Sequence, residues 1–201
     1  MRDTVIVFAK VPRLGMVKRR LAAGIGDRAA LRFHAATLTA LLRDLQSCRS
    51  FDVVLAGTPD RMRLRLPVRV DRIDQGRGDL GVRMTRALRR YRRGRVALTG
   101  CDIPDAGSAD ARAAFRVLGT TDAVFGPAAD GGYWLIALGP RRPAELFGNA
   151  RWSTRHALAD TLTRFRRHRV GFVRTLADVD TAADWRCWRA GVRHAGRARP
   201  W

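Results

Sequence analysis

The chain has 201 residues, a hydrophobic fraction of 46% and 39 Lys+Arg against 18 Asp+Glu, a formal net charge of +21. That length suits one hydrophobic core, and that apolar content excludes disorder over most of the chain. The longest apolar runs, Val5 to Ala9 and Tyr133 to Leu138, fall far short of the ~20 residues of a membrane helix.

In chain order, short apolar runs alternate with helical patterns. The runs Thr4 to Ala9, Asp52 to Gly57, Val68 to Ile73, Arg95 to Gly100, Asp122 to Pro127, Tyr133 to Leu138 and Val170 to Thr175 predict strands. Several are nearly continuous in apolar residues, as in strands covered on both faces. Between them, Leu31, Ala35, Leu38, Leu42 and Leu45 step by four and three behind a candidate cap at Asp27. Leu80, Met84, Ala87, Leu88 and Tyr91 form a second stripe, capped by Asp79. Ala111, Ala114, Phe115 and Leu118 follow Ser108, and Leu158, Leu162 and Phe165 follow Ser153. Trp185, Trp188 and Val192 follow Thr181. Each stripe is expected to face the core.

This alternation predicts an α/β fold in three layers, α/β/α, with a mostly parallel, Rossmann-like sheet. Only Ala128 to Gly132 separates the fifth and sixth runs, too little for a crossover helix, so an antiparallel interruption is expected there. One domain over 1–192 and a basic tail over 193–201 are expected. Cys48, Cys101 and Cys187 form no CxxC pair, which fits reduced, buried or semi-buried thiols and a soluble, cytoplasmic protein.

Two of the 39 cationic residues are lysines, Lys10 and Lys18, so 37 are arginines, spread through nearly every segment. Such a charge draws in polyphosphates. It also admits another reading: an Arg-rich nucleic-acid-binding protein with no enzymatic activity. The best segment for that is Arg86 to Arg95, whose arginines are expected on the outward face of a helix.

Ligands of open α/β sheets bind beyond the carboxyl ends of the strands. After the first strand, Lys10 to Leu21 forms a Pro/Gly loop, with Gly15, that presents Lys18 and Arg20 near a helix start. Free N–H groups, the helix dipole and clustered cations there suit a phosphate chain, although GxxxxGK[S/T] is absent. A charged surface loop is the alternative. After the fourth strand, Asp102 is a hard-oxygen ligand for Mg²⁺ or Mn²⁺, whereas Asp105 reads better as a helix cap. Asp130, before Gly131 and Gly132, offers a second carboxylate or a plain turn. Gly76, Gly78 and Gly81, around Asp79, allow close approach of a base or ribose without matching GxGxxG. Asp178 to Thr181 reads as a capping arrangement first and a metal site second. The histidines show no metal-ligand spacing, and no Cys/His cluster suggests zinc.

The run Phe8-Ala9-Lys10-x-Pro12-x-x-Gly15-x-Val17-Lys18-x-Arg20-Leu21 resembles the opening motif of a bacterial family of GT-A-like transferases. That family is mostly uncharacterised and often labelled as glycosyltransferases, some linked to arsenosugar biosynthesis. Gly78-Asp79-Leu80-Gly81-x-Arg83-Met84, Gly100-x-Asp102-x-Pro104-Asp105, Gly126-Pro127-x-x-Asp130-Gly131-Gly132-Tyr133, Trp152-Ser153-Thr154 and Asp178-Val179-Asp180-Thr181 resemble its further motifs in the same order. Related families are the guanylyltransferases for molybdenum cofactor and for phospholactate. The resemblance implies a nucleotide-diphospho-sugar transferase fold, a nucleotide or nucleotide-sugar donor, a small-molecule acceptor and a divalent metal at Asp102. Lys10, Gly15, Lys18, Arg20, Gly78 and Asp79 become the candidate nucleotide and phosphate contacts, and Asp102 and Asp130 the candidate catalytic residues. Arg19, Cys101, Ile103 and Trp134 stand where the family usually has Thr, Ser, Cys and Tyr.

Overall fold

A computed structural model of the chain describes residues 2–61 and 66–191. The expected basic tail, with Val192 and Trp201, lies outside the described residues. Strand β1 (Asp3–Lys10) is followed by helices α1 (Arg19–Ile25) and α2 (Asp27–Ser47), then β2 (Phe51–Thr58), β3 (Asp71–Asp74), α3 (Leu80–Arg89), β4 (Val96–Gly100) and α4 (Ser108–Val117). The second half holds β5 (Ala123–Pro127), β6 (Tyr133–Leu138), α5 (Ala157–Leu162), a 3-10 turn (Thr163–Phe165), β7 (Val170–Phe172) and α6 (Ala182–Arg189).

The strands form one seven-stranded sheet in the order β3-β2-β1-β4-β6-β5-β7. Every strand runs the same way except β6, which lies antiparallel between β4 and β5. The short Ala128 to Gly132 connection therefore closes a hairpin, with Ala128 N–H donating to the Gly132 carbonyl at 3.0 Å.

The side chains of a strand alternate between its two faces, and both faces here are covered. Val5, Val7 and Ala9 of β1 face one way, with Leu38, Leu42 and Phe115 of α2 and α4. Ile6 faces the other way, with Met84 and Leu88 of α3, Leu158 of α5 and Phe165. These are the three layers that the apolar runs predict.

The differences lie at the edges. The third strand forms only over Asp71–Asp74, because it borders the sheet and pairs with β2 alone. The regular ladder of the last strand likewise stops at Phe172, and beyond it the chain stays beside β5 through single bonds, Leu176 N–H donating to the Pro127 carbonyl at 3.1 Å. Helix α2 is capped by Gly26, and Asp27 sits in its first turn. Asp105 does not cap α4: the N–H groups of Gly107 and Ser108 donate instead to the carboxylates of Asp110 and Asp44. Helix α5 begins at Ala157, three residues beyond the Trp152-Ser153-Thr154 turn. Helix α6 buries none of its residues. Trp188 remains 39% exposed, edge-on to Phe33, and Trp185 lies beneath the Arg189 guanidinium.

The Arg86 to Arg95 segment is not one helical face. Helix α3 stops at Arg89, and Arg95 enters the sheet paired with Asp3 at 2.6 Å. Arg86 donates to the carbonyls of Gln75 and Arg77, and Arg89 to that of Ala144.

Phe125 is fully buried, with the rings of Tyr133 and Phe165 edge-on at 5.4 Å. Phe125→Ala should therefore cost about 3–5 kcal/mol, read as a lower denaturant midpoint at unchanged m-value.

Candidate active site

The carboxyl ends of β1 and β4 open onto a cleft of about 390 Å³. Its walls include Phe8, Lys10, Lys18, Gln75, Arg83 and Asp102. A second hollow of about 240 Å³ continues from it past Asp102, Tyr133 and Trp134 to Asp130, Asp178 and Ser153.

Lys18 anchors the floor. It terminates the opening loop in a left-handed conformation (φ 48°) and caps α1. Its side chain is only 4% exposed, and its ammonium lies 2.8 Å from Asp180 Oδ1 and 3.2 Å from Asp102 Oδ1. A buried ammonium needs such partners, since leaving water costs several kcal/mol. Burial works against its charge, but Asp102 and Asp180 outweigh that and raise the Lys18 pKa.

The two acids arrive from different ends of the chain. Asp102 follows β4, and Asp180 precedes α6, whose cap is Thr181. The Val179 N–H donates to the Asp102 carbonyl at 3.2 Å and stitches the two segments together. Partial burial opposes ionisation of Asp102, but His34 and the Lys18 ammonium more than offset it and hold the carboxyl down at about 2. His34 Nδ1 is 3.6 Å from Asp102 Oδ1, longer than a hydrogen bond, so Lys18 is the firmer partner.

Asp178 behaves oppositely. Burial and the neighbouring charges of Asp180 and Asp130 push its carboxyl up to about 6. The Lys18 ammonium thus meets Asp102 and Asp180, with Asp178 close by and Asp130 in the adjoining hollow, and carboxylate oxygens of this kind suit a hard divalent cation. The residues present fit Mg²⁺ or Mn²⁺ on that ground, with Asp102 and Asp180 as the nearest oxygen donors.

Gln75 braces the other wall. It is 1% exposed, and its amide N–H donates to the carbonyls of Ala9 and Ala56. Its carbonyl accepts from Arg83 Nη1 at 2.8 Å, which holds that guanidinium 5.9 Å from the Phe8 ring centroid.

Lys10, Lys18 and Asp102 thus meet in the cleft, and Asp130 reaches the adjoining hollow, where its carboxylate accepts from the Gly132 N–H at 2.8 Å. A Cβ on Gly131 (φ 89°) would meet the Arg155 carbonyl at 2.4 Å, so the hairpin tip requires glycine there. Gly15, Arg20, Gly78 and Asp79 do not line either hollow. Gly15 and Arg20 are exposed, and the Asp79 carboxylate caps α3 through the Val82 N–H. Lys18 is not a free cation at a helix start, as the loop suggested, but is held between carboxylates. Sequence reasoning ranked Asp178 and Asp180 as caps and singled out neither His34 nor Gln75 as a site residue. The Asp178-Val179-Asp180-Thr181 motif was the available signal for the first two.

The fold is that of nucleotide-diphospho-sugar transferases. The chain belongs to the family described as "Uncharacterized protein conserved in bacteria (DUF2064)", which matches residues 39–154. No curated protein matches it. Among solved structures it is similar to a protein from Desulfovibrio desulfuricans G20 provisionally described as a nucleotide-diphospho-sugar transferase, with 28% identity and TM-score 0.88 over 99% of this chain and 91% of that one. It also shares its fold with 4-diphosphocytidyl-2C-methyl-D-erythritol synthase from Anaerococcus prevotii, at 11% identity and TM-score 0.59, covering 95% and 98% of the two chains. A nucleotidyl transferase from Methanothermobacter shares it at 13% identity and TM-score 0.52, covering 95% and 97%.

The raised Asp178 carboxyl sets a pH dependence. Its folded pKa lies above the unfolded value of 3.8, so the native state binds the proton more tightly, and stability falls as pH rises from about 4 to about 6. Asp178→Asn should melt above the wild type at neutral pH, with the gap closing toward pH 4. Melting curves over that range check it.

Proposed function

We propose that the protein is a transferase that binds a nucleotide or nucleotide-sugar across the cleft and passes a nucleotidyl or glycosyl group to a small-molecule acceptor, aided by Mg²⁺ or Mn²⁺. The observation that supports this reading best is the Lys18 ammonium clamped by Asp102 and Asp180 at the carboxyl ends of the central strands, where open α/β sheets take their ligands. A cytoplasmic setting accords with three unpaired cysteines among the described residues.

In this reading Asp102, with Asp180, holds the metal. The ion, when bound, supplies neutralisation of charge developing on the leaving phosphates. Lys18 and Lys10 offer ammonium groups to the phosphate chain, and Arg83, fixed by Gln75, bounds the same cleft. In nucleotidyl transfer an acceptor phosphate attacks the α-phosphorus of a nucleoside triphosphate and pyrophosphate leaves. That reaction needs positioning and charge stabilisation and no side-chain nucleophile. In glycosyl transfer Asp130, in the adjoining hollow, orients or deprotonates the acceptor hydroxyl.

The test is a thermal-shift screen of nucleotides and nucleotide-sugars with and without Mg²⁺ or Mn²⁺. A ligand at 100 times its Kd should stabilise the fold by about 2.7 kcal/mol, and only with metal present. With that ligand as substrate, Asp102→Asn should lower turnover by orders of magnitude, and Lys18→Ala should weaken nucleotide binding and also lower the melting temperature, since it leaves Asp102 and Asp180 without their partner. Near-normal metal-dependent turnover by Asp102→Asn would overturn the assignment of Asp102, and a screen without any hit would overturn the reading.

A further inference from the structure

His34, Cys101 and Asp102 bring one ligand atom each to within 4.8 Å of one another, the one such group of His, Cys, Asp or Glu among the described residues. The chain gives no hint of it, because His34 lies in the middle of α2 while the other two follow β4. His34 is 3% exposed, and its Nε2 lies 2.9 Å from the Lys10 carbonyl. A carbonyl only accepts, so that bond keeps a hydrogen on Nε2 and leaves Nδ1 facing Asp102. Nδ1 is buried without a hydrogen-bond partner. An imidazole backed by a carbonyl, with its other nitrogen unpartnered, is arranged as a metal ligand is. The Cys101 sulfur is buried in the same corner, 3.8 Å from Asp102 Oδ1.

We infer that His34 Nδ1, the Cys101 sulfur and the Asp102 carboxylate form a site for a thiophilic divalent cation, Zn²⁺ foremost. Tetrahedral zinc with its usual bond lengths sets such ligand atoms about 3.3–3.6 Å apart. The Nδ1 to Oδ1 separation of 3.6 Å and the sulfur to Oδ1 separation of 3.8 Å need little contraction. On binding, the Cys101 S–H bond breaks, a sulfur–metal bond forms and the proton leaves to solvent. The half-exposed Asp102 opens the remaining coordination position to the cleft, where water completes the set. The Lys18 ammonium, 3.2 Å from the same carboxylate oxygen, competes with the ion.

Thiolate and imidazole favour zinc over magnesium, whereas the oxygen donors of Asp102 and Asp180 favour the hard ions. Both sets use Asp102, so a thiophilic ion excludes the catalytic ion and acts as an inhibitor. Cys101 decides between them, because a serine at that place removes the soft ligand and leaves the oxygens. The inhibition rests on the proposed function, whereas the site itself does not depend on nucleotide binding, so its test is separable from that of the proposed function.

Co²⁺ serves as the probe, titrated into the metal-free full chain with a non-thiol reductant and no nucleotide. One equivalent should produce an intense thiolate-to-cobalt charge-transfer band in the near ultraviolet, and Zn²⁺ should abolish it. The band should persist in a Cys48→Ser, Cys187→Ser double variant and vanish in both Cys101→Ser and Cys101→Ala, each checked for folding by its melting curve. Co²⁺ affinity in those two variants should fall by more than about 100-fold, since changes merely behind a ligand cost about 10–100-fold. No band in the wild type, or a band that survives in the Cys101 variants, overturns the site.

Discussion

A lysine side chain only 4% exposed has to be met by carboxylates, and the way Lys18 is met organises everything around it. Its ammonium draws together Asp102 from the end of β4 and Asp180 from the turn before α6, residues that the chain separates widely. The Val179 to Asp102 backbone bond fixes the same junction independently of charge. The opening loop, the central strand and the last helix thus share one electrostatic centre. Removing the ammonium would leave Asp102 and Asp180 without their shared partner, next to Asp178, whose carboxyl is already pushed up by burial and by the charges of Asp180 and Asp130.

The carboxylates around Lys18 sit inside a chain of net charge +21, and the two scales of charge do different work. The long-range field concentrates polyanions near the surface. At the cleft floor the Lys18 ammonium answers the carboxylates of Asp102 and Asp180 at contact distance. With 39 basic groups and 18 acids, most arginines cannot find a carboxylate. Many of them staple loops through carbonyls instead: Arg142 donates to Gly139 and Gly94, Arg86 to Gln75 and Arg77, and Arg89 to Ala144. An arginine spent this way is not available as a free nucleic-acid contact, which weighs against the binding-protein alternative.

How much of this was legible in the sequence depended on whether burial or partnership decided the feature. The central strands are buried on both faces, so their apolar runs marked them within a residue or two, and Tyr133–Leu138 was marked to the residue. Edge strands β3 and β7 have one partner each, and there apolar content alone overstated the ladder. The tryptophans of α6 misled in the same manner: they pack at the surface, against Phe33 and Arg189, so a helical stripe did not mean a buried one. Asp102 was legible because its place after a buried strand is a property of the chain. Asp180 also precedes a helix and satisfies the pattern of a cap region, and only the fold reveals that it faces Lys18. His34 lies on the buried stripe of α2, and its chemistry comes from neighbours that no local pattern encodes.

The reversed strand β6 sets the width of the cleft. Because β4 and β5 both pair antiparallel with β6, they run the same way, and their carboxyl ends lie on one edge of the sheet with β6 between them. Asp102 leaves β4 and Asp130 leaves β5, so the two carboxylates stand on either side of the β6 entry, about two strand spacings, or ~10 Å, apart at their strand ends. An adjacent pair of strands would bring them to ~5 Å, where they would close on a single ion. The wider gap keeps the Asp102 corner and the Asp130 hollow apart. Tyr133 and Trp134, the first residues of β6, line both hollows and form the floor between them. The antiparallel strand β6 is therefore what divides the carboxyl edge of the sheet into two adjoining hollows, one at Asp102 and one reaching Asp130.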